Sequence, residues 1–125
     1  MANTVLTNIQ TTLNSGVLST GTLCVADTAD LAEIFDITLT KSKAIIVINN
    51  TAAAGTITYS IAAGTQFGGA TALTGSVAQS TSRVLELDTA KYKNASGVIA
   101  LTVTPASGAK LKTGNVVTIQ AIQLV

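Results

Sequence analysis

Apolar and polar residues alternate along this chain in short runs with a period of two. In "GTITYSIA" (55–62), Ile57, Tyr59 and Ile61 alternate with Thr56, Thr58 and Ser60, which places the apolar set on one face of a β-strand. "VIALTVTP" (98–105) repeats this with Ile99, Leu101 and Val103 against Ala100, Thr102 and Thr104. "FDITL" (35–39) sets Phe35, Ile37 and Leu39 against Asp36 and Thr38, and "RVLELD" (83–88) sets Leu85 and Leu87 against Glu86 and Asp88. Two runs are apolar on both faces: "KAIIVINN" (43–50), through Ile45, Ile46, Val47 and Ile48, and "VVTIQAIQLV" (116–125). Such strands are central in a sandwich or covered by a second subunit. "GVLSTGTLCVA" (16–26) predicts one weaker strand.

Asn49, Asn50, Gly55, Gly64, Gly68, Gly69, Gly75, Asn94, Gly97, Pro105, Gly108 and Asn115 separate these runs. About seven or eight short strands punctuated in this way predict an all-β fold rather than βαβ units. The expectation is a single antiparallel β-sandwich over 17–125, of jelly-roll or immunoglobulin-like topology, preceded by an N-terminal arm over 1–16. In that arm Leu6, Ile9 and Leu13 keep helical spacing, while the Thr and Asn residues lower helix propensity. A short helix, an irregular arm and a strand lent to a neighbour all fit. "TQFGGATALTGSVAQS" (65–80) reads as a glycine-rich loop projecting from the sandwich, with Phe67 pinning it to the core. In "LELDTAKYKNASGVIALTVTP" (85–105), residues 88–93 read as a tight or single-turn helical connection. Asp88 caps it, Tyr92 tucks its ring under the sandwich rim, and residues 94–97 supply permissive backbone for the next strand.

Composition changes the picture by thinning the charge. Of 125 residues, 47% are hydrophobic and only 10% charged, against roughly 25% charged in soluble proteins generally. A surface of Thr, Ser, Asn, Gln, Ala and Gly is cheap to desolvate. It suits packing against other subunits, and a secreted or wall-exposed protein shares the composition. The net charge of +1, with no Lys/Arg cluster, argues against a nucleic-acid partner. Lys41 with Lys43, Lys91 with Lys93 and Lys110 with Lys112 sit beside strand ends, where they read as solvated charges that deter edge pairing. No apolar run approaches the ~20 residues of a membrane helix. "MANTVLTNIQ" has neither the basic nor the apolar region of a signal peptide, so folding in the cytoplasm is expected.

Candidate chemistry is sparse. There is no histidine, which excludes Ser-His-Asp and Cys-His catalysis and imidazole zinc sites. Cys24 is the only cysteine and lies in an apolar run, so a buried inert thiol is expected. Asp27, Asp30, Glu33 and Asp36 recur at three-residue spacing in "DTADLAEIFD". On a helix that spacing would gather them for calcium binding or acid/base work, but it does not match an EF-hand loop. On a strand, Glu33 and Asp36 would face opposite ways. The glycines form no phosphate cradle. The sequons at Asn49 and Asn94 carry no expectation of glycosylation. The expected protein is not an enzyme and has no catalytic residue, cofactor or metal.

From about Lys43 onward, the order of "KAIIVINN", "GTITYSIAAG", "RVLELDTAKYKNASGVIALTVTP" and "VVTIQAIQLV" resembles the small decoration, or auxiliary head, proteins of tailed bacteriophages. The resemblance implies a structural virion protein that sits on the capsid surface after assembly in the host cytoplasm. It implies binding to the major capsid protein, stabilisation of the head, and homo-oligomers, often trimers. Contacts are then expected along the arm, the 66–82 segment and the C-terminal strand, at Val5, Ile9, Phe67, Tyr92 and Ile122. Broad contacts suit a low-charge surface and two-sided apolar strands. The alternatives are a glycan-binding β-sandwich that stacks sugars on Tyr59, Tyr92 and Phe67, another phage part such as a tail tube or head-to-tail piece, and a self-assembling surface appendage.

Overall fold

The computed structural model describes residues 3–13, 16–17, 21–51, 55–65, 71–112 and 117–124. Its strands are β1 (Thr4–Leu6), β2 (Ile9–Gln10), β3 (Thr22–Leu23), β4 (Glu33–Thr38), β5 (Lys43–Asn50), β6 (Ile57–Ile61), β7 (Leu73–Val77), β8 (Thr81–Asp88), β9 (Val98–Thr104) and β10 (Val117–Gln123), with a 3₁₀ turn at Thr89–Lys91. One sheet runs β1-β4-β9-β6-β7. The other runs β2-β10-β5-β8, with β3 also paired to β10.

The two sheets pack as a β-sandwich, and the period-two pattern decides which side chains fill it. Phe35 and Ile37 of β4, Ile46 and Ile48 of β5, Ile57 and Ile61 of β6, Ile99, Leu101 and Val103 of β9, and Val117 and Ile119 of β10 are all buried in one cluster. Burial of this kind contributes roughly 1.5–3 kcal/mol per large aliphatic side chain. From β4 onward the chain changes sheet at every step except the β6–β7 hairpin. An immunoglobulin-like sandwich keeps several successive strand pairs within one sheet. The winding here is that of a jelly roll.

Among the described residues the sandwich body is antiparallel throughout, and parallel pairing enters only with the N-terminal arm. β1 runs parallel to β4, with Val5 opposite Asp36, and β2 runs parallel to β10, with Ile9 opposite Ile122. The described arm is therefore extended rather than helical, with a strand in each sheet. Its core contribution is Leu6, 2% exposed. Of the weaker strand expected over 16–26, the described residues show Thr22–Leu23 as β3, while 18–20 lie outside the described residues.

The 65–80 segment departs most from expectation. Leu73–Val77 form an edge strand in register with β6. Phe67 lies outside the described residues. The run reads as a loop because it is polar and glycine-rich, yet Gly75 has a packing role. A Cβ at Gly75 would collide with the Tyr59 hydroxyl, so its absence makes room for the phenol ring of the opposing strand.

The 85–105 segment folds as expected. The Asp88 side chain caps the 3₁₀ turn by accepting from the Ala90 N–H, and Tyr92 packs half-buried against the core. Asn94 Oδ1 accepts from the N–H groups of Ser96 and Val98, and Gly97 adopts φ +76°, a conformation that favours glycine.

Buried polar side chains fasten the loops. Among the described residues, Glu33, Asn50, Thr89 and Gln123 are the buried polar or charged ones. Glu33 Oε1 accepts from the N–H groups of Val25 and Ala26, each at 2.7 Å, and its Oε2 accepts from Thr4 Oγ1 at 3.0 Å. Asn50 Nδ2 donates to the carbonyls of Gly55 and Val77. Thr89 Oγ1 donates to the Lys41 carbonyl at 2.6 Å. Such groups are tolerated in a core because they are hydrogen-bonded.

Candidate docking surface

The strand parity that fills the core also fixes what each sheet shows to its surroundings. On the β2-β10-β5-β8 sheet the outward residues of β5 are Lys43, Ile45, Val47 and Asn49, those of β10 are Thr118, Gln120 and Ile122, and those of β8 include Val84 and Glu86. The register sets Ile9, Ile122, Ile45 and Glu86 side by side across the four strands. The next row is Gln120, Val47 and Val84, and the row beyond it is Leu23, Thr118, Asn49 and Ser82. Ile9, Ile45, Val47 and Ile122 are half-buried by their neighbours, whereas Val84 is 62% and Leu23 55% exposed. The result is a contiguous aliphatic band across the outside of one sheet. Extended apolar patches of this sort mark interaction sites.

The opposite sheet presents different chemistry. Outward positions on β6, β7 and β9 are Thr58, Ser60, Thr74, Ser76, Val98, Ala100, Thr102 and Thr104. Among the described strand residues of that sheet, Ile34 and Val5 are large aliphatics left exposed, at 37% and 77%, and Asp36 sits beside Val5.

One buried side chain holds a corner of the apolar band in place. Gln123 Oε1 accepts from the N–H groups of Thr40 (2.6 Å) and Lys41 (3.0 Å), while its Nε2 donates to Asn8 Oδ1 at 2.9 Å. Its carbonyl accepts from the Thr11 N–H at 3.0 Å. These bonds bracket Ile9 on both sides and fix β2 along β10.

The residues expected to make contacts are thus dispersed. Ile9 and Ile122 meet in the apolar band, Val5 lies on the other sheet, and Tyr92 lies at the rim against the core. Ile45, Val47 and Val84 belong to the band as well. The two-sided pattern of 43–50 pointed to the first two, whereas Val84 was hidden because β8 is read from its inward pair, Leu85 and Leu87. Lys43 opens a central strand rather than an edge, opposite Asp88. Tyr59 is 6% exposed in the core, so it offers no platform for stacking a sugar.

The groups that could have suggested chemistry are engaged in structure. Cys24 is buried, and its thiol pKa is pushed up to about 12, by burial first and then by the Glu33 carboxylate. A thiol so disposed is not a nucleophile at neutral pH. Asp27 lies 3.9 Å from Lys110, Asp30 accepts from the Gly108 N–H, and Asp36 accepts from Asn3 Nδ2. Among the described residues no group of three or more His, Cys, Asp or Glu could hold a metal ion. No described helix is long and apolar enough to cross a membrane. The chain matches no protein-family model, no curated protein and no solved structure.

Proposed function

We propose that this chain is a non-catalytic structural protein of a phage particle, a decoration or cement protein that binds the outer surface of the head and stabilises it. The observation that carries this reading is the aliphatic band of Ile9, Ile45, Val47, Val84 and Ile122 on the outside of a sheet whose inner face already fills the core. Those side chains add nothing to the core, and covering them with a partner would recover roughly 25 cal/mol per Å² of apolar area. The low charge of the chain, at 10%, keeps the desolvation cost of such a contact small. The resemblance of the 43–125 region to auxiliary head proteins names the partner as the major capsid protein.

Adding the purified protein to capsids that lack it tests the proposal. Saturable co-sedimentation with the shells, and a higher temperature of shell disruption, are the expected results. Shells that bind none of it at saturating concentration would overturn the reading.

A further inference from the structure

The two sheets end differently on the side away from the arm. β8, the last strand of its sheet, carries Arg83, Glu86 and Asp88, charges of the kind that block edge-to-edge pairing. β7, the last strand of the other sheet, is Leu-Thr-Gly-Ser-Val, with no charge and no proline. At its outer edge Arg83 Nη2 donates to the Ser76 carbonyl at 2.9 Å. That bond shows which backbone groups face outward. The carbonyl of Ser76 points away from β6, whereas that of Val77 accepts from the Asn50 amide, which also donates to the Gly55 carbonyl just before β6. Because the pointing alternates along an antiparallel strand, the N–H and C=O of Thr74 face outward together with those of Ser76.

We propose that β7 pairs with β7 of a second copy of this chain, antiparallel about a two-fold axis at Gly75. Thr74 of each copy then exchanges both backbone hydrogen bonds with Ser76 of the other, and the two sheets join into one. Three features make this edge self-complementary. The outward groups are spaced symmetrically about Gly75. Gly75 faces its own counterpart at the closely spaced, non-hydrogen-bonded position, where the absence of a side chain lets the strands approach. Thr74 then lies opposite Ser76 on the outer face, a cross-strand hydroxyl pair of a favourable type. Isologous contacts of this form are the commonest way soluble proteins make dimers. Arg83 is the guard of the edge, because its guanidinium must leave the Ser76 carbonyl before the strands can pair. The aliphatic band lies on the other sheet, so this pairing does not depend on capsid binding.

Sedimentation equilibrium of the full chain, from micromolar to millimolar concentration, should show a reversible monomer–dimer equilibrium. Thr74→Pro removes an N–H that β6 does not use, so it should keep the wild-type circular dichroism and weaken the dimer at least about tenfold. Arg83→Ala should tighten it roughly tenfold. Mixing the Thr74→Cys and Ser76→Cys variants under mild oxidation should give a covalent dimer that neither variant gives alone. A wild-type chain that stays monomeric at millimolar concentration would overturn the pairing, as would a dimer unaffected by T74P or a mixture that forms no disulfide.

Discussion

The two sheets have equivalent inner faces and opposite outer ones. Inside, both contribute mainly aliphatic side chains at alternate positions. Outside, β6, β7 and β9 show mainly Thr, Ser and Ala, whereas β2, β5, β8 and β10 show Ile9, Ile45, Val47, Val84 and Ile122. Hydroxyl-bearing β-branched residues satisfy strand propensity and water together, which is what a sheet facing solvent needs. Aliphatic residues satisfy only propensity. The outward aliphatic set is larger on one sheet than on the other, where Val5, Ile34 and Val98 are its members, and on the proposed reading the larger set serves contact with a partner. The arm repeats the contrast: its strand on the hydroxyl-rich sheet is tied by Glu33, and its strand on the aliphatic sheet by Gln123.

Separating these two anchors is the sharpest way to break the comparison. Glu33→Ala should cost about 4 kcal/mol in urea unfolding, because the N–H groups of Val25 and Ala26 lose their acceptor in a buried site. It should leave shell binding by the folded protein intact, since Glu33 serves the other sheet. Val84→Glu should do the reverse. Stability should move by no more than about 0.5 kcal/mol at so exposed a position, while affinity for the shell falls roughly a hundredfold. The matching change Thr58→Glu on the hydroxyl-rich face should leave binding where it was. If both variants weaken binding alike, the distinction between the faces is lost.

Gln123→Ala should combine the two effects at smaller size. Removing the side chain that holds Asn8, Thr40 and Lys41 should cost about 2 kcal/mol and free Ile9 from the band, so that shell binding drops as well. A last effect, confined to alkaline pH, concerns Cys24. The folded state holds the thiol proton up to about pH 12, against an ordinary value of 9.0. Its contribution to stability is therefore complete below pH 9 and lost as pH rises toward 12, at up to about 1.4 kcal/mol per pH unit. Unfolding curves of the wild type and Cys24→Ser should diverge in slope over that window and run parallel below it.

Much of this is legible in the sequence. Alternation within 35–39, 55–62 and 98–105 gave the strands and their inner faces, since a period of two leaves each side chain only one of two directions. The cap at Asp88 and the left-handed backbone at Gly97 followed from local chemistry, because an N-cap or a tight turn is satisfied within a few residues. By itself the sequence thus determined an all-β sandwich, its core, its rim turn and the inertness of Cys24. Tertiary structure alone decided whatever depends on partners far along the chain. The jelly-roll winding needs the order of strands in space. The edge strand at Leu73–Val77 needs Tyr59 of β6 to fill the gap over Gly75. The arm's two parallel pairings need β4 and β10 to present their edges on one side. The aliphatic band needs β2, β5, β8 and β10 to become neighbours, since no residue on it has another band residue of a different strand within reach until register aligns them.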